Sequence, residues 1–474
     1  MRLPILIVII VFAFWGCKKD QQNQADSFAY IGGEIINPTN NFIILSKDQA
    51  IIDTIKLDTR NRFLYKINNL HEGMFTFRHG GEYQMVLIEA NDSLLFRLNT
   101  LEFDESLVFT GIGDKKNNYF IETFLEYEKE EKHIIKLCQL NPHLFQKHVD
   151  SIKNNKVETL KTFKKRNKTS ALFDKIAQAN INYNYYSNKE VYPFIHYGKN
   201  KAAILKSVPN DFYNYRKDIN YSDTFFSQIH NYNTFLRHNL SNISLNTHDS
   251  HCSCDNFDRV SLCYNLDRLH LIDSLVTNTT LKNELLHYFT FMYLSKNVNA
   301  KNNEAILKSY LQKSENEEDK QMLSLYTKSL NNLKVGSKLP EIILLNNAGK
   351  EVAINTLIRG SATVINFWSY TYYNHFKDSH KKLGELKEKY PETNFISINI
   401  NSDNFVESNK MLASHDFDLK QEYLFKNPKE SNEILATYPM TKTIILDKNK
   451  KIVNSNANIF SIQFEEQLLG ALNK

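Results

Sequence analysis

Sulfur is the first chemistry offered by this chain of 474 residues, at Cys17, Cys138, Cys252, Cys254 and Cys263. Two of these crowd into one stretch, His251-Cys252-Ser253-Cys254-Asp255, with Cys263 and His270 following. Imidazole and thiolate are the soft donors of a four-coordinate zinc site, so the stretch has enough ligands for one, although its spacing is irregular for such sites. Cys252 and Cys254 also read as a redox pair, but closing so small a ring strains the disulfide geometry. Structural disulfides or free thiols are the plainer account. With Cys17 set aside, Cys138, Cys252, Cys254 and Cys263 allow two bridges in three connectivities, and sequence does not choose among them. The sequence assigns no metal and no cofactor.

Cys17 belongs to a different context. Arg2 is followed by an unbroken apolar run over residues 3–14, then Trp15, Gly16 and Cys17, then Lys18, Lys19 and Asp20. The run is short for a membrane-crossing helix and has the length of the apolar region of a secretory signal. A cysteine directly after a small residue at the end of such a run resembles a bacterial lipobox, which implies that Cys17 is diacylated and becomes the mature N-terminus. Residues 1–17 then form a lipoprotein signal peptide and the Gln/Asn-rich residues 18–27 a tether. Each buried methylene of the acyl chains contributes about 0.8 kcal/mol to membrane retention. The charged residues after Cys17 resemble the surface-export tags of Bacteroidetes lipoproteins. The expected location is a bacterial envelope membrane, the outer one, facing the periplasm or the cell surface. Lys+Arg of 58 against Asp+Glu of 53 leaves a charge of only +5, which argues against nucleic acid as a partner.

The elements that must position these groups fall into three kinds, which predicts a multidomain chain. Residues 28–113 have period two: short β-branched and aromatic segments at 41–46, 49–56, 62–67, 73–78 and 85–89, separated by Asn, Asp and Gly clusters, predict an all-β sandwich. Its end, Phe109 to Phe120, resembles the close of the small all-β domain of unassigned function that precedes thioredoxin-like domains in many Bacteroidetes lipoproteins. Gly111 and Gly113 there predict a strand-to-helix turn; a GxG without a third glycine and a βαβ unit is weak evidence for a phosphate cradle. Residues 114–334 switch to helical spacing, with runs at 118–140, 144–166 and 281–296, and predict an all-α region. Its Tyr183, Tyr185, Tyr186, Tyr192 and Tyr197 are read as helix-packing tyrosines, with a sugar- or peptide-binding surface as the alternative.

Residues 335–474 carry an α/β pattern. Gly336 and Pro340 lead to the buried-strand run Thr363 to Trp368, a helical stretch follows, and then Asn394 to Ile400, Thr443 to Leu446 with Asp447, and a closing helix. This order, with G-x-x-x-P, Ile365-Asn366-Phe367-Trp368, Ser397-Ile398-Asn399-Ile400 and Ile444-Ile445-Leu446-Asp447-Lys448, resembles the TlpA/AhpC branch of the thioredoxin superfamily. The resemblance implies a thioredoxin-like fold and, just after Phe-Trp, a C-x-x-C pair at a helix N-terminus: one cysteine attacks as a thiolate and the other resolves the mixed disulfide. Aligning on Phe367-Trp368 places Tyr372 and His375 at those positions, and neither can carry the exchange. His375 is read as a solvent-facing helix residue. Counting back from Asp447 puts Thr441 at the family's cis-proline position, with Pro439 two residues upstream, so the cis-proline is read as absent or displaced. The Lys/Asn-rich run before Val335 predicts that the C-terminal domain folds independently.

These readings imply a lipid-anchored envelope protein whose thioredoxin-like domain lacks redox chemistry and binds a protein or peptide, with no catalytic residue. The alternative is a thiol-disulfide oxidoreductase of the TlpA-like kind using Cys252 and Cys254. Replacing Cys17 by Ser should release the chain from membranes or leave an unprocessed precursor; normal processing and retention in a membrane fraction would refute the lipid anchor.

Overall fold

The computed structural model describes residues 27–48, 50–370, 372–401 and 405–473. Cys17, the signal segment and the tether up to residue 26 lie outside the described residues. Among the described residues, no helix is long and apolar enough to cross a membrane.

Eight strands come first: β1 (Ala29–Ile36), β2 (Phe42–Lys47), β3 (Ala50–Lys56), β4 (Arg62–Ile67), β5 (Gly73–His79), β6 (Glu82–Ile88), β7 (Ser93–Asn99) and β8 (Val108–Ile112). They form two four-stranded sheets, ordered β4-β1-β7-β8 and β3-β2-β5-β6. Alternation along the strands explains the packing. In β7, Leu94, Phe96 and Leu98 are buried while Leu95 and Arg97 face out, and Phe96 stacks on Phe77 of the other sheet at 4.6 Å between ring centroids. Gly113 then turns the chain into a helix at φ 94°, where a Cβ would stand 2.5 Å from Asp92 Oδ1. That carboxylate bonds Lys116, so acid already occupies the turn and a phosphate does not.

Nine helices follow: α1 (Asp114–Leu137), α2 (Pro142–Arg166), α3 (Ala171–His196), α4 (Lys201–Lys206), α5 (His230–Asp249), α6 (Leu262–Leu275), α7 (Thr279–Leu294), α8 (Ala300–Lys313) and α9 (Glu317–Asn332). Their starts are set by capping. Asn141, Ser170, Asn200, Ser261, Asn278, Asn299 and Asn316 each accept a first-turn backbone N–H. Between α4 and α5 the irregular chain is anchored by Glu190 of α3. This fully buried carboxylate takes bonds from Arg216 Nε at 2.9 Å, the Tyr215 hydroxyl at 2.8 Å and Asn239 Nδ2 at 2.7 Å. The tyrosines of α3 pack inward: Tyr192 is fully buried, and Tyr186 stacks on Tyr215 at 4.2 Å.

The C-terminal region adds β9 (Ile343–Leu345), β10 (Glu351–Ala353), α10 (Ile354–Leu357), β11 (Thr363–Trp368), α11 (Tyr373–Lys389), β12 (Asn394–Asn399), α12 (Phe405–Ser414), β13 (Glu422–Phe425), α13 (Pro428–Leu435), β14 (Thr443–Leu446), β15 (Ile452–Ala457) and α14 (Phe464–Leu472). The sheet order is β10-β9-β13-β12-β11-β14-β15. β11, α11 and β12 make the parallel crossover unit, and β14 runs antiparallel on the other side of β11. This is the thioredoxin arrangement. β11 is buried along its whole length, as a strand covered on both faces must be. On one face Val364, Phe395 and Ile445 meet Leu383 and Leu386 of α11 and Phe464 and Leu468 of α14. On the other, Ile365, Phe367, Ile396, Ile398 and Ile444 belong to one apolar core with Leu323 and Leu330 of α9.

The C-terminal sheet therefore has a core of its own on the α11/α14 face and shares the core on its other face with the helical region. The linker is built in as well, with Gly336 N donating to Ile452 O at 2.7 Å and Ile452 N to Ser337 O at 2.8 Å. Trp368 is the one tryptophan after Trp15 and reports the C-terminal region. In urea, its fluorescence and the far-ultraviolet helical signal should change together, and Leu330→Ala should weaken both by about 2–5 kcal/mol. Two separated transitions, with only the helical one moved by Leu330→Ala, would refute the shared core.

Candidate functional site

The site begins where β11 stops. Its last residue, Trp368, donates from the indole Nε1 to Glu422 Oε2 at 3.0 Å, deep in the sheet. Glu422 is itself buried, and its Oε1 lies 3.4 Å from His380 Nε2. His380 Nδ1 is 2.7 Å from Phe376 O. A carbonyl only accepts, so Nδ1 carries a hydrogen, and Nε2 is left facing the carboxylate. That nitrogen is buried and makes no hydrogen bond. This Trp–Glu–His string lies under the first turns of α11, fixing the strand end against the helix.

Tyr372 is the N-cap of α11, its N–H donating to Ser369 O at 3.1 Å. Its side chain is 44% exposed, so the phenol is available to a partner. Tyr373 is half-buried, its hydroxyl 2.9 Å from His415 Nε2. His375 corrects the sequence reading. Its two ring nitrogens are buried without a hydrogen-bond partner, and the ring packs edge-on against Phe460 at 6.0 Å. Burial holds its pKa below the usual 6.5, which favours the neutral ring. The cause is position: one turn into α11, the side chain turns toward the loop after β15 and away from water.

Of the two readings of the cis-proline, absent or displaced, it is the displaced one that holds. The cis peptide is Tyr438–Pro439. Thr441, where the family's spacing placed the proline, is an exposed turn residue two positions later. Lys442 braces this loop. Its ammonium, nearly inaccessible to water, donates to Leu435 O and Ala436 O at 2.8 Å each, at the C-terminus of α13. On the other side, the Tyr326 hydroxyl of α9 donates to Tyr438 O at 2.8 Å. The helical region thus reaches the backbone of the proline loop.

Around α11 the surface is aromatic. Tyr438 and Phe460 are each 42% exposed, beside Tyr372 and His375 respectively. The sequence holds no cysteine beyond Cys263, so thiolate attack and resolution have no sulfur at this face. What it offers is apolar contact and phenol hydroxyls.

The sulfur lies in the helical region, and among the described cysteines none is bridged. Cys138 is buried and burial pushes its thiol up to about 12, which leaves it inert. Cys252 and Cys254 meet at the surface, Sγ to Sγ 2.9 Å. The hydrogen bond from Cys254, with Lys201 nearby, holds the Cys252 thiol below its usual value. Lys201 Nζ also donates to Cys252 O at 2.6 Å and pairs with Asp249 at 2.9 Å.

No family model matches the chain, and no curated protein matches it. Solved structures do. The thioredoxin domain of a thiol-disulfide oxidoreductase from Bacteroides vulgatus aligns at 15% identity and TM-score 0.25, over 30% of this chain and 99% of that one. A thiol-disulfide oxidoreductase from Bacteroides fragilis aligns at 17% identity and TM-score 0.23, over 29% and 98%. A thioredoxin-like protein from Bacteroides caccae aligns at 13% identity and TM-score 0.32, over 60% and 92%.

Burial pushes Lys442 from 10.5 down to about 7. A base held below its unfolded value binds fewer protons folded than unfolded, so stability should rise as pH climbs from about 7 toward that unfolded value, by at most about 1.4 kcal/mol per pH unit. Urea midpoints taken stepwise through the lower part of this window should show the slope, and Lys442→Met should flatten it. A slope unchanged in Lys442→Met would assign it to another group.

Proposed function

We propose that this chain is an envelope protein, held to the membrane by a lipid on Cys17, whose thioredoxin-like domain recognises a protein or peptide and exchanges no disulfides. The observation that carries the reading is the start of α11. Tyr372 and the half-buried ring of His375 hold the positions that the resemblance assigns to two cysteines, and Tyr372, Tyr438 and Phe460 offer an exposed aromatic surface instead. Aromatic side chains supply large contact area at low entropic cost, which suits recognition. The bond from Tyr326 to the Tyr438 carbonyl favours side-chain contact over strand addition at the proline loop, since that acceptor is already used.

A second reading rests on a separate observation: the neighbouring surface thiols of Cys252 and Cys254, one of them lowered, are a dithiol able to form and pass on a disulfide. One set of proteins separates the two. Turnover of a small disulfide at the expense of an added thiol reductant is measured for the full-length chain and for Cys252→Ser/Cys254→Ser. Displayed peptides selected on the full-length chain are then tested against Tyr372→Ala and Phe460→Ala. The recognition reading expects no turnover above the uncatalysed rate and a loss of about 2 kcal/mol or more of peptide binding in each alanine variant. Turnover that vanishes in the double-serine variant would make the chain an oxidoreductase with its thiols in the helical region.

A further inference from the structure

The end of α5 and the start of α6 bring four donor side chains to one point. His248 is in the last turn of α5, and His251 follows just past the helix end; Cys263 and Asp267 are four apart on α6, which places them on one helix face. One ligand atom from each lies within 4.8 Å of the other three. His248 Nδ1 and His251 Nε2 both stand 3.0 Å from Asp267 Oδ2, and Cys263 Sγ is 3.7 Å from His251 Nδ1.

Zinc–nitrogen and zinc–oxygen bonds near 2.0–2.1 Å and a zinc–sulfur bond near 2.3 Å set tetrahedral edges of roughly 3.3–3.6 Å between ligand atoms. The four atoms stand within 4.8 Å of one another, and His251 faces Asp267 with Nε2 and Cys263 with Nδ1, so side-chain rotation must bring one of its nitrogens to the centre and draw the set in. The frame is firm where it needs to be. The His248 and Asp267 side chains are 7% and 15% exposed on adjacent helices, and the His248 ring packs edge-on against Tyr264 at 5.9 Å. Cys263 and His251 are exposed and form the entrance.

We propose that His248, His251, Cys263 and Asp267 bind a borderline-soft divalent cation of the zinc class in a closed four-coordinate site that pins the loop between α5 and α6. Two imidazoles and a thiolate disfavour magnesium and calcium, which take oxygen ligands. With four protein ligands no coordination position stays open, so the site is structural. On uptake the Cys263 S–H bond is replaced by a sulfur–metal bond, and the proton leaves to solvent. The set differs from the one that sequence spacing suggests, for Cys252, Cys254 and His270 are not in it. Cys252 stays beside it, its N–H bonded to His248 O at 3.0 Å.

The test uses the full-length chain, reduced, stripped with chelator and dialysed against zinc alone, with metal counted by elemental analysis. One zinc per chain is expected at micromolar free metal. Cobalt in its place should give the visible absorption of a tetrahedral ion and a sulfur charge-transfer band that disappears in Cys263→Ser. The exposed positions carry the mutational arm: Cys263→Ser and His251→Gln should each weaken zinc by at least the roughly tenfold that loss of even an outer partner costs. Cys252→Ser/Cys254→Ser should leave it unchanged, which keeps this result separate from any disulfide turnover. No retained zinc, zinc retained equally by Cys263→Ser, or zinc lost in the double-serine variant would each overturn the site.

Discussion

A sheet with two apolar faces must be covered twice, and that requirement organises the C-terminal two-thirds of this chain. α11 and α14 cover one face of the thioredoxin-like sheet. Residues of the other face share a core with Leu323, Leu330 and Leu333 at the end of the helical region. Each large side chain buried there contributes about 1.5–3 kcal/mol relative to exposure. The helical region is therefore part of the thioredoxin-like unit in an energetic sense, and its orientation at the proline loop follows from the same packing.

That packing changes what the site can do. The Tyr326 hydroxyl can reach Tyr438 O only because α9 lies against α13. Sulfur and site are also divided between regions, with the surface thiols after α5 and the aromatic face at α11. Burial at this face falls on His375, His380 and Glu422, whose buried polar atoms need partners or neutrality to persist.

Much of the architecture was legible because periodicity is a local property. The alternation of β2 to β6, the helical spacing of α1, α2 and α7, and the uninterrupted apolar run of β11 are each visible in a few residues. β1, β7 and β8 were not singled out: β1 runs parallel to β7 and antiparallel to β4, a pairing that no turn signal announces. The loss of sulfur at Tyr372 and His375 was also legible, since it is a matter of residue type. The burial of His375 was not, because it depends on Phe460 far along the chain. Pro439 was visible two residues upstream of the counted position, but the count back from Asp447 assumed a fixed spacing and could not tell a displaced cis-proline from an absent one. Glu422 lacked any local signal; it meets Trp368 only when β13 and α11 are in place. His248 and Asp267 were hidden similarly, on the two helices flanking the cysteine-rich loop that drew the eye.

The helix caps have a bearing on the acidity this molecule can endure. Among the described residues, seven α-helices start at an asparagine or serine whose side chain accepts a first-turn N–H, and none of these starts relies on an aspartate side chain. Amide and hydroxyl oxygens keep their lone pairs at every pH at which a carboxylate would be neutralised, so these caps still accept their backbone N–H groups in acid. The ties between helices rest on charge instead: the bonds of Glu190 to Arg216 and Asn239 hold the irregular segment to α3 and α5. Helix starts and helix-to-helix ties thus rest on different chemistry, the first on neutral oxygens that acid leaves unchanged and the second on an ion pair.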